Sequence, residues 1–146
     1  MRTEIIEPLE LSDYFDAISD GIHIIDGNEK VIYCNKALHA WREKMGIEGD
    51  IIGKKVLEAF PFLPNKAREE YRLVFRTGKI LITDEVLKVN WTGIHAETRK
   101  IPVMKNQKVV NVISMFRDIT ERKESDAEKA NLEAQLLQAQ KMEAAR

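Results

Sequence analysis

The sequence has 146 residues, which gives room for one domain of ordinary size and little more. Hydrophobic residues make up 44% and charged residues 32%, a composition typical of a folded globular chain and not of a disordered or fibrous one. The formal net charge of -1 argues against general nucleic-acid binding, and a single cysteine excludes an internal disulfide.

The sequence contains no run of about 20 apolar residues, which is the length that crosses a bilayer. Its N-terminus carries charges where a signal peptide needs an apolar core. We therefore expect a cytoplasmic protein segment that makes no contact with a membrane.

The N-terminal part predicts an amphipathic helix followed by a β-hairpin. One face of the helix has the spacing i, i+3, i+4, i+7, and Ser12 is its expected N-cap. The residues of this face are Leu11, Tyr14, Phe15 and Ile18. Two apolar runs, residues 22–25 and 31–34, flank an Asp-Gly-Asn-Glu-Lys segment that favours a turn with positive φ.

Three helical segments are predicted after the hairpin. Asn35 is the expected N-cap of the first, and Gly46 ends it. Residues 56–60 predict a short helix. The third helix begins at Asn65 and ends at Gly78.

The next part of the chain predicts three strands at residues 79–89, 94–104 and 109–117. The last of these strands is apolar on both faces, whereas a strand in an open antiparallel sheet normally has one wet face. We therefore expect helices to cover one side, and the N-terminal helix or a second subunit to cover the other.

The composition changes after residue 120. Residues 121–146 contain no glycine, proline, aromatic or β-branched residue and predict one long helix. Asp118 and Glu121 have the spacing of a capping box at its start. Leu132, Leu136 and Ala139 form a short, imperfect heptad seam, which favours pairing with a second copy as a coiled coil.

Several motifs along residues 11–121 resemble those of PAS domains. Residues 20–26, Asp-Gly-Ile-His-Ile-Ile-Asp, and residues 31–37, Val-Ile-Tyr-Cys-Asn-Lys-Ala, resemble the opening hairpin of that family. Gly53-Lys54 resembles the turn before its middle helices. Residues 117–123, Arg-Asp-Ile-Thr-Glu-Arg-Lys, resemble the Asp-Ile-Thr junction that joins PAS cores to signalling helices.

The resemblance implies an α+β fold with a five-stranded antiparallel sheet, flanking helices and a C-terminal coiled-coil-type helix. It divides the chain into an N-terminal flanking helix at residues 1–20, a PAS core at 21–118 and a signalling linker helix at 119–146. It also implies a homodimer, which would form through the N-terminal helix and the linker helix.

The C-terminal residues resemble a second family feature. Residues 138–144, Gln-Ala-Gln-Lys-Met-Glu-Ala, are similar to the segment that opens the dimerisation helix of sensor histidine kinases. The phosphoacceptor histidine of those proteins would lie beyond Arg146, so we expect no enzymatic activity from this chain. The resemblance implies the N-terminal sensor region of a histidine kinase; a ligand-free dimerisation module, or a PAS domain with a cyclase or transcriptional output, are the alternatives.

The resemblance also implies two functional regions. In the family a ligand pocket lies between the sheet and the middle helices, although core packing without a ligand explains the same residues. The wall candidates are Leu57, Phe60, Tyr71, Phe75, Ile113 and Met115. The junction that transmits the signal consists of Asp118, Ile119, Thr120 and Glu121.

Known cofactor and metal patterns are missing from the sequence. The histidines and Cys34 lack zinc-site spacing, and no catalytic motif is present. The helix expected at residues 65–77 has no histidine for haem, and Cys34 lies outside the photoadduct motif of flavin-binding members. We therefore expect neither haem nor a photoactive flavin, and the identity of any ligand is open.

Overall fold

The structure is a computed structural model that describes residues 8–89 and 92–145. A five-stranded antiparallel sheet has the strand order β2-β1-β5-β4-β3. Its strands are β1 (Gly21–Asp26), β2 (Val31–Cys34), β3 (Leu81–Val89), β4 (Thr92–Lys105) and β5 (Lys108–Asp118). The helices are α1 (Leu11–Asp16), α2 (Lys36–Lys44), α3 (Val56–Ala59), α4 (Lys66–Thr77) and α5 (Thr120–Ala144). The predicted α+β fold is confirmed.

Two local details at the N-terminal end differ from the prediction. The N-cap of α1 is Glu10, whose N–H donates to Asp13 Oδ2 at 2.8 Å, so the prediction of Ser12 was wrong. In the hairpin turn the positive φ belongs to Glu29, at 63°, and not to Gly27. Residues 1–7, which belong to the predicted N-terminal flanking segment, and residues 90–91, which lie between two predicted strands, are outside the described residues.

Asn35 joins α1, β1 and α2 through its fully buried side chain. Its Oδ1 accepts from the N–H of Leu38, as the predicted N-cap should, and from the N–H of Ile22 at 2.8 Å. Its Nδ2 donates to the carbonyl oxygens of Phe15 and Asp20. One amide side chain therefore satisfies four backbone groups, three of them in α1, β1 and α2 and one in the segment between α1 and β1.

Helices α2, α3 and α4 cover one face of the sheet, which we call the inner face. The core on this face contains Ile25, Val31, Cys34, Leu38, Ile51, Val56, Ala59, Phe60, Ala67, Tyr71, Val74 and Val112. Gly21 allows β1 and α2 to approach each other, because a Cβ at this position would lie only 3.0 Å from Leu38 Cδ1. At the end of α4, Gly78 has a φ of 66° and forms the left-handed cap that the sequence predicted.

The opposite, outer face of the sheet is covered in part by α1. Tyr33 alternates with the buried Cys34 and therefore lies on the outer face, where its ring is 5.4 Å from that of Phe15. The other apolar residues of α1 are exposed, with Leu11 at 74% and Tyr14 at 57% of full accessibility.

Helix α5 is 25 residues long and has no buried residue. At 1.5 Å per residue it extends about 37 Å. Its leucines at positions 132, 136 and 137 are each more than half exposed. Within residues 8–89 and 92–145, no helix is both long enough and apolar enough to cross a membrane.

Candidate functional site: a buried polar cluster and the junction with the C-terminal helix

Polar and charged side chains from β1, α4 and β4 meet between the inner face of the sheet and the helices. His23 Nε2 is 2.7 Å from the hydroxyl oxygen of Tyr71, and both side chains are buried. Lys100 Nζ is 3.1 Å from Glu70 Oε2 and 4.9 Å from the centre of the Tyr71 ring. Because the Lys100 side chain is only 4% exposed, this carboxylate and the aromatic ring, and not water, stabilise its positive charge.

Burial shifts the protonation of the two aromatic members of this cluster. Desolvation and, to a smaller extent, the positive charge of Lys100 together lower the pKa of His23 to about 3, so the imidazole is neutral at physiological pH. Burial raises the pKa of Tyr71, with hydrogen bonding to Ser114 acting in the opposite direction. His23 Nδ1 is buried and has no hydrogen-bond partner among the described residues.

A small internal cavity lies next to this cluster. It has a volume of about 10 Å³, which is close to the space that one water molecule needs. Its lining residues are His23, Leu38, Phe60, Phe62, Leu63, Ala67, Glu85, Thr98, Lys100, Ser114 and Phe116. Aromatic rings therefore form part of the wall, while hydroxyl, imidazole, carboxylate and ammonium groups form another part.

The structure brings only some of the predicted wall residues to this cavity. Phe60 lines it, and Tyr71 contacts the lining residue His23. Ile113 and Met115 do not reach it, because they alternate along β5 with Val112, Ser114 and Phe116, which are buried on the inner face. Met115 instead lies beside Arg99 and Arg117 in a recess on the outer face.

Leu57 and Phe75 also lie away from the cavity. Leu57 lines a surface recess with Lys55 and Glu58, and Phe75 lines a cleft beside the β1–β2 turn. Thr98 and Lys100 were not among the predicted wall residues, although both are buried on the inner face. Along the sequence, Thr98 and Lys100 alternate with Glu97 and Arg99, as residues on opposite faces of a strand do. Because all four are polar, this alternation does not indicate which face is buried.

The junction between β5 and α5 is tied to the neighbouring strand β4. Asp118 Oδ1 accepts hydrogen bonds from the N–H of Thr120 at 2.9 Å and from its hydroxyl at 2.6 Å. The hydroxyl oxygen of Thr120 in turn accepts from the N–H of His95. The N–H of Ile119 donates to the carbonyl oxygen of His95 at 2.8 Å. The start of the helix is therefore fixed to the start of the strand.

This geometry changes the interpretation of the helix start. The predicted capping box of Asp118 and Glu121 is wrong. Asp118 binds Thr120, and the N-cap position belongs to Ile119, which is 4% exposed. Glu121 is an exposed residue of the first turn of α5. In the part of the chain that the structure describes, no group of three or more potential metal ligands comes together.

The fold and the junction agree with a comparison against known families. A profile described as "PAS fold" matches residues 15–124, which is most of the chain. The chain belongs to the PAS family. As a PAS domain it is a sensor domain, with the five-stranded sheet, flanking helices and long C-terminal helix that the resemblance implied. A comparison with curated proteins finds no match.

Solved structures with the same fold come from several signalling proteins. The PAS domain of BvgS from Bordetella pertussis is 22% identical, with a TM-score of 0.63 over 86% of this chain and 95% of that chain. A sensory box sensor histidine kinase from Vibrio cholerae is 15% identical, with a TM-score of 0.52 over 74% and 85%. VqmA from Vibrio cholerae is 20% identical, with a TM-score of 0.62 over 79% of this chain and 53% of that chain. At these identities the likeness shows the fold alone.

Proposed function

We propose that this PAS domain senses a small molecule in its internal cavity and relays the signal through α5 to a histidine kinase in the cytoplasm. The domain itself acts by binding and by conformational change, without catalysing a reaction. A small-molecule ligand and a second copy of the chain are its partners, and neither nucleic acid nor a membrane is required.

The composition of the cavity supports ligand binding. A core built for stability alone would favour apolar side chains, because a buried charge such as that of Lys100 loses its hydration. A ligand with an apolar body and a polar edge would pack against Phe60 and Phe62 and offer a partner to His23 Nδ1. Because the cavity has room for only about one water molecule, binding such a ligand requires the inner-face helices to move away from the sheet.

The single observation that carries this proposal is that strand β4 serves both sites. Thr98 and Lys100 of β4 line the cavity, and His95 of the same strand holds the start of α5 through its backbone N–H, which donates to the Thr120 hydroxyl oxygen, and its carbonyl oxygen, which accepts from the N–H of Ile119. A ligand that displaces the inner-face residues would therefore change the position of His95 relative to the other strands of the sheet. The helix follows this change because Thr120 and Ile119 are bonded to His95.

The exposed apolar residues support a homodimer. Leu132 and Leu136 lie one helical turn apart on α5 and are 58% and 61% exposed, which favours burial against a second copy of the helix. Leu11 and Tyr14 of α1 offer a second apolar surface close to the sheet. We propose that both helices contribute to the dimer, and that α5 forms the coiled coil through which the signal passes.

The proposed output domain is a histidine kinase. The histidine kinase output rests on the resemblance of residues 138–144 and on the fold shared with the Vibrio cholerae sensory box kinase. VqmA has a similar fold, and its structure is that of a dimer in the absence of target DNA, which bears on DNA binding by LuxR-type receptors. A transcriptional output is therefore the second candidate.

Native mass spectrometry of the freshly purified protein tests sensing and dimerisation together. We expect a dimer that carries a reproducible extra mass, which is lost on denaturation. A dimer at the bare polypeptide mass, which also gains no thermal stability in a screen of small metabolites, would contradict ligand sensing and favour a dimerisation module. A monomer at micromolar concentration would contradict the paired helix.

Asp118→Ala in the full-length protein tests the junction. The variant loses the two hydrogen bonds to Thr120 and should uncouple kinase output from ligand, while the PAS core keeps its melting temperature within a few degrees. The matched control is Asp126→Ala, at an exposed position farther along α5. A normal ligand response in Asp118→Ala would show that the junction does not transmit the signal.

A further inference from the structure

A second cleft lies on the surface, between the β1–β2 turn and α4. It is lined by Gly27, Asn28, Glu29, Lys55, Arg68, Arg72, Phe75 and Arg76. Its volume of about 550 Å³ is within the range of small-molecule sites. None of these residues lines the internal cavity, so this cleft is separate from the sensing site proposed above.

The cleft has a strong positive charge. Four of its lining side chains are cationic and only Glu29 is anionic, which gives a formal net charge of +3 in a chain whose total is -1. Three of the cations, Arg68, Arg72 and Arg76, follow one another at i, i+4 and i+8 on α4 and therefore share one helix face. Lys55 adds a fourth cation, from the residue that precedes α3.

Glu29 holds two of these arginines in place. Its carboxylate oxygens accept from Arg68 Nε at 3.2 Å and from Arg72 Nε at 3.0 Å. Both bonds use Nε, so the two terminal amino groups of each guanidinium take no part in them. The arginine side chains are 52% and 58% exposed, whereas that of Glu29 is 15% exposed.

Stability alone does not explain this arrangement. Exposed ion pairs contribute little to folding, because water and salt screen them. Glu29 nevertheless adopts a left-handed backbone with a φ of 63°, a conformation that is unfavourable for residues other than glycine, asparagine and aspartate. The turn therefore accepts backbone strain at the residue that orients Arg68 and Arg72.

We propose that this cleft binds the polyphosphate chain of a small molecule. Successive turns of α4 place the arginines about 5–6 Å apart, a spacing suited to neighbouring phosphoryl groups. Guanidinium groups bind phosphate through paired N–H donors, and such charge-assisted bonds are stronger than neutral ones. Phe75 provides an aromatic wall against which a nucleoside base would stack.

The position of the cleft would let a ligand bound there act on the domain independently of the internal cavity. The β1–β2 turn follows Asp26, which pairs with Asn111 near the start of β5, whereas α5 leaves the far end of that strand after Asp118. Helix α5 therefore starts at the end of the sheet opposite to the cleft. Polyphosphate bound here would contact α4, which packs on β4 and β5.

Isothermal titration calorimetry of the whole chain tests this site, with sodium tripolyphosphate and ATP as probes at constant ionic strength. We expect saturable binding of at least one probe at one site per chain. Arg72→Gln should weaken this binding about tenfold, as expected for the loss of a hydrogen bond between charged groups. Arg99→Gln, at an exposed arginine of β4 that pairs with Glu97, is the matched control and should leave the affinity unchanged.

Glu29→Gln provides a second variant with the opposite sign. The glutamine oxygen can still accept from one arginine, but the negative charge of the cleft is lost, so binding should tighten several-fold, whereas a loss of folding would weaken it. Equal affinity for the two probes would assign the phosphate chain alone, and tighter binding of ATP would add a contact between its base and Phe75. Absence of saturable binding by either probe, or equal weakening by Arg72→Gln and Arg99→Gln, would overturn the proposal.

Discussion

Acidification should destabilise this domain through His23. Its imidazole is buried, is bonded to the Tyr71 hydroxyl at 2.7 Å and lies near the positive charge of Lys100. These surroundings lower its pKa from an ordinary value of 6.5 to about 3. In the unfolded chain His23 is exposed to water and titrates at its ordinary value, so the unfolded state takes up the proton first.

The sign and size of the effect follow from this difference. Because the folded pKa is the lower one, the contribution of His23 to stability is complete above pH 6.5 and is lost as the pH falls from there towards 3. Each pH unit in this window costs about 1.4 kcal/mol. Between pH 7.5 and pH 5 the free energy of unfolding should therefore fall by about 2 kcal/mol from this residue alone.

Urea denaturation at pH 7.5 and pH 5 measures this loss. His23→Gln keeps a hydrogen-bonding side chain but does not titrate, so its free energy of unfolding should fall by about 2 kcal/mol less than that of the wild type. His39→Gln, at an exposed histidine of α2, should behave as the wild type does. If His23→Gln lost as much stability as the wild type on acidification, the protonation of His23 could not be the cause.

Two further substitutions test the packing that positions the cavity, with urea denaturation as the measurement. Asn35→Ala leaves four backbone groups without their partner and should lower the free energy of unfolding by about 3 kcal/mol; the exposed neighbour Lys36→Ala should change it by less than about 0.5 kcal/mol. Gly21→Ala places a methyl group 3.0 Å from Leu38 and should cost about 1–3 kcal/mol, whereas Gly27→Ala meets no atom within 4 Å and should cost far less. Equal effects within either pair would contradict the corresponding contact.

The elements that the sequence predicted well are those with local signals. Asn35 caps α2 because its side chain reaches an N–H only three residues away, and Gly78 ends α4 because it tolerates a positive φ. The hairpin turn was located correctly for the same reason, although the positive φ falls on Glu29. Glu29 contacts Arg68 and Arg72, some 40 positions away, and no local rule could have indicated that.

The cavity was harder to predict because strand faces are assigned by the whole fold. Strand β5 is apolar on both sides, so its alternation does not reveal which residues lie under the helices, and Ile113 and Met115 were assigned to the wrong side. Strand β4 presents the opposite difficulty, since Thr98 and Lys100 have the polarity of a solvent-exposed face. The partner of Lys100 is Glu70 of α4, and only the packed structure brings the two together.

The polar interior and the position of β4 have a common consequence for sensing. A sheet with an apolar inner face would resist opening, because opening would expose its apolar side chains to water. Here the inner face includes His23, Thr98, Lys100 and Ser114, whose polar groups water or a ligand can satisfy once the helices move. Opening at this face therefore costs less than it would in an apolar core, and in the proposed mechanism His95 would carry the movement to α5. We infer that the buried polar residues reduce the stability of the closed state and thereby make the domain responsive to its ligand.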